Sequence, residues 1–300
     1  MILSKLFYYL SWVLQRSLLK EKNPINGTLI VNDVCSLDCL HCNVSNIGIG
    51  NIPFRQLKAD ITTLYKKNCR ILVITGGEPF LWEDRDGSNE LNDIVAYAKE
   101  TGFFRIIICT NGLQKLNTNA DILWVSLDGD ETSHQVMRGD TYSRIKSNIE
   151  LSSHRKIYVN FTITQCNYKS LKTASEAILN IKNVKGILYH FFTPYRNLQQ
   201  IGVSREEKIR VSGDIKHLRK KYKGQVLNSE PGLHALVHGN WERKNLESIT
   251  ICQGQISSCC CRSTICDDAT CRECGCASAV ESSLIANFEL PAILNAMRYF

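Results

Sequence analysis

The sequence predicts an α/β protein whose main domain is a partial (β/α)6 TIM-like barrel. Apolar runs of strand length alternate with helical patterns, and about six such units fill roughly 200 residues. An N-terminal amphipathic helix precedes this domain, and a small cysteine-rich domain follows it. Because parallel strands end at one edge of a sheet, we expect the loops after them to share one site.

The individual elements follow from apolar periodicity and from glycine and proline positions. The predicted strands cover residues 28–33, 70–75, 103–109, 122–126, 157–164 and 186–192. The predicted helices cover residues 53–67, 88–101, 142–151, 171–179 and 205–222. The predicted domains are the N-terminal helix at 1–24, the barrel at 25–200, a linking helical segment at 201–248 and the cysteine-rich domain at 249–300.

The first twenty residues combine apolar residues at helical spacing with interfacial aromatics and basic side chains. The apolar positions are Leu3, Leu6, Phe7, Leu10, Val13, Leu14 and Leu18. No acidic residue occurs before Glu21, and the segment is short and charged for a membrane span. It predicts either a helix on a membrane surface or a helix packed across the protein's own core.

Composition describes an ordinary globular chain of 300 residues, with 44% hydrophobic and 22% charged residues. The net charge of +7 is mild, and we expect no nucleic-acid partner. Eight of the fourteen cysteines lie between Cys252 and Cys276. Since no secretory signal is evident, we expect a cytoplasmic, possibly membrane-peripheral protein that uses these thiols for metal binding rather than disulfides.

A loop of three thiols follows the first predicted strand. Cys35, Cys39 and Cys42 have the spacing C-x3-C-x2-C. Thiolates suit iron–sulfur clusters, and three ligands leave one iron of a four-iron cluster open for chemistry. Zinc and a disulfide are the alternatives, with His41 as a strained fourth zinc ligand.

Polar or glycine-rich segments follow the next three strands. Gly76-Gly77-Glu78 lets the backbone approach a ligand, although it also suits a tight turn. Asn111 ends the third strand, and the fourth ends in Ser126-Leu127-Asp128-Gly129. Arg138 follows, with a guanidinium suited to a carboxylate. Taken singly, Asp128 could be a turn residue and Arg138 a surface charge.

In this order the segments resemble the motifs of the radical SAM superfamily. The resemblance implies that Cys35, Cys39 and Cys42 bind a [4Fe–4S] cluster whose open iron is chelated by S-adenosylmethionine (SAM). Reductive cleavage of SAM would then give a 5′-deoxyadenosyl radical that abstracts hydrogen from a substrate. The SAM-binding residues implied are His41, Gly76, Gly77, Glu78, Asn111, Ser126, Asp128 and Arg138. His41 would lie beside the adenine, the Gly76–Glu78 loop at the methionyl amine, Ser126 at the ribose or carboxylate and Arg138 at the carboxylate.

The cysteine-rich tail has the density and C-x2-C spacing of a metal domain, with zinc as the alternative to iron. It resembles, loosely, the auxiliary modules called SPASM or twitch. The resemblance implies one auxiliary [4Fe–4S] cluster. The candidate ligands are Cys252, Cys260, Cys271 and Cys274, with Cys276 as a rival to any of them.

These observations predict a radical SAM enzyme that needs an electron donor such as flavodoxin or ferredoxin. The N-terminal helix, and the absence of a leader-binding domain ahead of the barrel, slightly favour a lipid or membrane-associated small molecule as substrate. A peptide- or protein-modifying SPASM-type maturase is the first alternative. A non-catalytic zinc-binding interaction protein is the alternative of another class. No catalytic side chain is assigned.

Overall fold

The structure is a computed structural model that describes residues 2–195, 198–243, 248–257 and 268–299. Its strands are β1 (Asn26–Ile30), β2 (Ile71–Thr75), β3 (Arg105–Thr110), β4 (Ile122–Ser126), β5 (Ile157–Ile163), β6 (Val184–Phe191), β7 (Ser248–Cys252) and β8 (Gln255–Ser257). Its helices are α1 (Ile2–Leu18), α2 (Phe54–Lys66), α3 (Leu91–Thr101), α4 (Glu131–Arg138), α5 (Tyr142–Leu151), α6 (Leu171–Leu179), α7 (Arg205–Lys221), α8 (Glu230–His238), α9 (Asp268–Arg272), α10 (Ala277–Ala286) and α11 (Leu290–Ala296).

One sheet organises the fold, with the strand order β6-β5-β4-β3-β2-β1-β7-β8. The first six strands are parallel and follow one another in chain order, as predicted. β7 pairs in parallel with the free side of β1, and β8 turns back antiparallel to β7. This is an α/β fold with the parallel strands and covering helices of a partial barrel.

The six barrel strands lie within three residues of their predicted bounds, because most of them are apolar runs; β3, β4, β5 and β6 are largely buried, and β1 and β2 alternate between buried and half-buried residues. The predicted end of α3 is also confirmed, since Gly102 caps it with a left-handed φ of 108°. The prediction missed α4, α9, α10 and α11, and it gave no separate bounds for α8 within the linking helical segment. α4 is a short polar helix that begins where the Asp130 side chain accepts the Ser133 N–H.

Helix α10 runs from the carboxyl-end side of the sheet to its amino-end side. α10 begins beside the carboxyl end of β6, where the Ala277 N–H donates to His190 Nδ1 at 3.0 Å. It ends near the amino end of β1, where Asn26 lies 3.4 Å from the Ser282 hydroxyl. The tail segment is thus packed on the barrel. In the part of the chain that the structure describes, no helix is long and apolar enough to cross a bilayer.

Candidate functional site

The three-thiol loop lies at the carboxyl end of β1. Cys39 is buried and Cys35 and Cys42 are half-buried. Burial raises the pKa of the Cys39 thiol to about 11, with the neighbouring Cys42 and Cys35 adding to the rise and Arg138 opposing it. The thiols are therefore near enough to influence one another. Among the described residues, no group of three His, Cys, Asp or Glu side chains has the geometry of a metal site.

Asp33 fixes the conformation of this loop, and this residue was not identified from the sequence. Its carboxylate accepts the backbone N–H groups of Gly48 at 2.7 Å, Ile49 at 3.1 Å and Gly50 at 2.7 Å. Burial alone would raise the pKa of Asp33, but these backbone donors outweigh it and hold the pKa below its usual value. The ionised side chain closes the loop around the cysteines. The only local signal is an acid directly after an apolar strand.

Gly76 and Gly77 lie where the backbone of the β2 loop crosses the loop after β1. A Cβ on Gly76 would come within 2.3 Å of Asn32 Oδ1, and one on Gly77 within 2.2 Å of the Asp33 carbonyl oxygen. No side chain fits at either position. The two glycines therefore let the β2 loop pass close to the backbone just before the cysteine loop, and the approach to a ligand stays a prediction.

Glu78 is fully buried and joins two of the predicted loops. Its carboxylate accepts the Thr110 hydroxyl at 2.7 Å, the Asn111 N–H at 2.6 Å and the Phe80 N–H at 3.0 Å. Burial raises its pKa above the ordinary value although all three donors oppose the rise. The side chain thus ties the loop after β2 to the loop after β3.

Donors approach two of the cysteine sulfurs. The Leu37 N–H lies 3.4 Å and Asn111 Nδ2 3.7 Å from Cys35 Sγ. Arg138 Nη1 lies 3.7 Å from Cys39 Sγ. N–H groups and a cation at sulfur stabilise thiolates, as a metal–thiolate site requires.

Arg138 and Asp128 form a buried ion pair, so neither is the turn residue or surface charge that remained possible from sequence. Arg138 Nε donates to Asp128 Oδ2 at 2.6 Å, and the carboxylate side chain is fully buried. Burial disfavours both charges, but their attraction outweighs it, so the pKa of Asp128 is lowered and that of Arg138 is raised. The pair remains charged and holds the guanidinium toward the cysteine loop.

His41 lies on the other side of that guanidinium. Arg138 Nη2 is 3.3 Å from His41 Nε2, which accepts because arginine has only donors. The imidazole packs edge-on against Phe192, with 6.4 Å between ring centroids. The Tyr195 hydroxyl donates to the His41 carbonyl oxygen. Phe192 and Tyr195 follow β6 and were not identified from the sequence.

Ser126 ends β4 and is half-buried, paired in register with Asn160 of β5. Every predicted SAM-site residue therefore lies at or after the carboxyl end of β1, β2, β3 or β4, at one end of the sheet. At the same end, Tyr189 is a buried core residue whose hydroxyl donates to Ser175 at 2.8 Å. His190 packs against α10 rather than entering the site.

The described tail cysteines fall into two places. Cys252 ends β7 and faces a cavity of about 520 Å³ that Asn32 and Gly76 also line. Cys271, Cys274 and Cys276 lie near β6, where the Phe191 N–H donates to the Gly275 carbonyl oxygen at 3.0 Å. Burial, with Cys274 nearby, raises the pKa of Cys276 to about 12. Cys260 lies outside the described residues.

Comparisons with known proteins agree with this arrangement. Residues 29–166 match the sequence model of the Radical SAM superfamily. No curated protein sequence matches the chain. Streptococcus suis SuiB bound to S-adenosylmethionine is similar in structure, with a TM-score of 0.62 and 13% identity over 80% of this chain. The chain spans 61% of the length of SuiB.

A second similar structure is anSMEcpe with bound AdoMet and the Kp18Cys peptide. Its TM-score is 0.62 at 12% identity, and the match covers 79% of this chain and 74% of anSMEcpe. At such identities the likeness concerns the fold alone. Residues 29–166 therefore resemble a radical SAM domain in sequence, and the chain is similar in fold to two proteins solved with SAM.

Proposed function

We propose that Cys35, Cys39 and Cys42 bind a [4Fe–4S] cluster whose open iron takes SAM. When bound, the cluster supplies the electron that cleaves the SAM sulfonium and yields a 5′-deoxyadenosyl radical for hydrogen abstraction. The observation that carries the proposal is Arg138, a buried cation tied to Asp128 that reaches the Cys39 sulfur. A fixed positive charge beside thiolates offsets their negative charge, which fits an anionic cluster.

The neighbouring residues have distinct roles in this proposal. Gly76 and Gly77 bring backbone groups to the methionyl amine, and Ser126 and Arg138 bind the carboxylate or ribose of SAM. His41 stacks near the adenine, supported by Phe192. Glu78 acts mainly as a positioning residue, because its carboxylate already accepts from Thr110, Asn111 and Phe80. Asp128 holds Arg138, and Asn111 donates to the Cys35 sulfur.

For the substrate class, a peptide is the first candidate. SuiB has been solved bound to the precursor peptide SuiA, and anSMEcpe with a peptide. The lipid or membrane-associated small molecule favoured by the N-terminal helix is the second candidate. It is weakened by the position of α1, which contacts residues at the amino ends of the strands rather than the site.

We also propose that the tail holds one auxiliary [4Fe–4S] cluster in a domain at 249–300, after a linking segment at 201–248. Its ligands would come from Cys252, Cys260, Cys271 and Cys274, with Cys276 as a rival. The burial of Cys274 and its packing beside β6 support a structured metal site. An external electron donor such as flavodoxin or ferredoxin would reduce the SAM-binding cluster.

The test measures 5′-deoxyadenosine formed from SAM by anaerobically purified, dithionite-reduced protein. We expect the wild type to form it and each of Cys35→Ala, Cys39→Ala and Cys42→Ala to lose it. Cys166→Ala is the matched control, because this lone thiol is half-buried after β5 and should leave the rate unchanged. A wild type that carries iron and sulfide but forms no 5′-deoxyadenosine would contradict the proposal.

A further inference from the structure

Helix α1 lies across the amino ends of the first three strands, at the end of the sheet opposite the candidate site. The Tyr8 hydroxyl donates to the Asn68 carbonyl oxygen at 2.7 Å, just before β2. The Trp12 indole N–H donates to the Asn23 carbonyl oxygen at 3.0 Å, just before β1. Tyr8 also packs on Phe104, just before β3, with ring centroids 5.3 Å apart. One face of α1 is therefore used to close the barrel.

The residues just after helix α11 contact the amino end of β5. Lys156, which precedes β5, donates through Nζ to the Tyr299 carbonyl oxygen at 3.1 Å, and the Tyr158 and Tyr299 rings lie 6.2 Å apart. α1 meets this region where Arg16 Nε donates to the Ala286 carbonyl oxygen at 2.6 Å. The exposed sides of α1 and α11 therefore belong to the surface opposite the candidate site.

The outward side of this surface is apolar. Each of its large apolar side chains is more than half exposed in the described structure. We define the basal apolar surface as Phe7, Leu10, Leu14 and Leu18 of α1 together with Leu290, Leu294 and Met297 at α11. Spacings of three and four residues place each set on one helical face. Exposed apolar helix faces that are not scattered single residues are typical of interaction sites.

A cationic cleft adjoins the apolar surface. A cavity of about 530 Å³ between α1 and the β2–β3 end is lined by Lys5, Arg70 and Lys99, with Tyr8 and Phe104. None of these three cations pairs with a carboxylate among the described residues. Arg70 is held in place by carbonyl oxygens of Tyr65 and Cys69, both at 2.9 Å. The cleft therefore presents fixed positive charge.

We propose that the basal apolar surface docks on an anionic membrane, with a lipid phosphate in the Lys5–Arg70–Lys99 cleft. Apolar side chains beside unpaired cations are the pattern by which amphipathic helices bind anionic bilayers. Charge also selects this occupant over a second copy. In a two-fold dimer the same cationic cleft would approach its own copy, and like charges would repel.

This orientation has a consequence for the substrate, which rests on the proposed function. Because the cysteine loop lies at the carboxyl ends of the strands, docking by the amino ends turns the site away from the bilayer. The site then takes a water-borne substrate held near the membrane, such as a peptide, rather than a lipid drawn from the leaflet. The docking itself does not depend on the radical chemistry.

The experiment is co-sedimentation of the full chain with vesicles of phosphatidylcholine alone or mixed with phosphatidylglycerol. We expect binding to the anionic vesicles and a loss of at least about tenfold for Leu10→Glu/Leu14→Glu, since charged groups are excluded from the apolar boundary. Ile209→Glu is the matched control: Ile209 is similarly exposed, lies on α7 and should leave binding unchanged. Lys5→Gln/Lys99→Gln should weaken binding to anionic vesicles roughly fivefold or more per charge.

Three outcomes would overturn the proposal. One is wild-type protein that stays in the supernatant with anionic vesicles. Another is binding that Leu10→Glu/Leu14→Glu and Ile209→Glu weaken equally. The third is wild-type protein that does not bind vesicles but sediments as a dimer, with Leu10→Glu/Leu14→Glu converting the dimer to a monomer. In that case a second copy would cover the surface. Formation of 5′-deoxyadenosine is measured in parallel. Saturating vesicles should leave it unchanged, and its absence would count against the radical chemistry alone.

Discussion

At the scale of single residues, the site depends on groups that serve the cysteine loop rather than on the cysteines alone. The buried Arg138–Asp128 pair is the clearest case, because the guanidinium contacts a carboxylate, a thiol and an imidazole. A lysine could supply the charge but not this three-way geometry. The pair thus places a positive charge beside the thiols that are proposed to bind the cluster.

The coupling within this pair can be measured by a double-mutant cycle. Asp128→Asn keeps an oxygen that accepts the Thr162 N–H at 2.7 Å but leaves Arg138 buried without a counter-charge. We expect it to lower the free energy of unfolding by about 3–5 kcal/mol. Asp128→Asn/Arg138→Gln should cost less than the sum of the single variants, with a coupling above roughly 1 kcal/mol. Additive losses in urea unfolding would contradict the assigned pair.

Gly77 provides a second residue-scale prediction. Gly77→Ala would place a Cβ 2.2 Å from the Asp33 carbonyl oxygen, and backbone on both sides cannot yield easily. We expect a loss of about 1–3 kcal/mol or more in the free energy of unfolding, with lower SAM binding. Gly213→Ala is the matched control. Gly213 lies in α7 with open space around it, so alanine should stabilise the helix by about 0.5–1 kcal/mol. Equal effects of the two variants would refute the close-approach argument.

At the scale of elements, His190 joins α10 to the barrel. Because the Ala277 N–H donates to Nδ1, the proton of the neutral ring is on Nε2, which lies 3.2 Å from Asn160 Oδ1. Burial lowers the pKa of His190 from 6.5 to about 4, with Asp128 opposing the shift. The link between β5, β6 and α10 therefore requires a neutral imidazole.

This requirement predicts acid sensitivity with a definite sign. Above pH 6.5 His190 is neutral in both states and contributes no pH dependence. Between pH 6.5 and about 4 the unfolded chain binds a proton that the folded chain refuses, so stability falls with acid. Over the whole range from pH 6.5 to about 4, the free energy of unfolding should fall by up to about 3 kcal/mol.

The measurement is urea unfolding at pH 7.5 and pH 5 under anaerobic conditions. His190→Gln retains one donor and one acceptor without titrating, so it should reduce the pH dependence while keeping most of the stability at pH 7.5. His134, whose pKa burial also lowers to about 4, should add to this dependence, whereas Glu78 and Glu281, whose pKa values burial raises, oppose it. An unchanged pH dependence in His190→Gln would show that this histidine is not the group concerned.

Element by element, the sequence was most informative where the signal is local. Strand β4 and helices α5 and α6 begin and end at their predicted residues. The missed features depend on distant partners: Asp33 binds backbone groups about fifteen residues later in the chain, and α10 is positioned by His190 across 87 residues. In the tail, the many cysteines were interpreted as a metal site, and the apolar pattern that predicts α10 and α11 was not used. The spacing of apolar residues along a segment does not predict contacts of this kind.

In the candidate site, too, local features were predicted and contacts between distant residues were not. The sequence placed the predicted loop residues correctly at one end of the sheet, because motif order follows strand order. It did not reveal that Glu78 faces Thr110 and Asn111, nor that Phe192 and Tyr195 close the site around His41. Those contacts depend on the curvature that brings β6 toward the β1 loop, and no single segment encodes it.

At the scale of the whole molecule, the two ends of the sheet have different tasks. The carboxyl ends present the cysteine loop with its glycines and the Arg138–Asp128 pair. The amino ends of the first three strands are covered by α1, which presents apolar side chains beside a cationic cleft. A barrel allows this separation because its loops vary independently of its strands. Membrane docking and radical chemistry can therefore be tested separately.

The most direct test of the central claim is electron paramagnetic resonance of the dithionite-reduced protein, recorded with and without SAM. If SAM binds the open iron of a cluster held by Cys35, Cys39 and Cys42, the wild-type signal should change when SAM is added. The Cys35→Ala/Cys39→Ala/Cys42→Ala variant should keep only a tail-cluster signal that ignores SAM. A SAM-responsive signal that survives in this variant, or a wild-type cluster signal that saturating SAM leaves unchanged, would contradict the account.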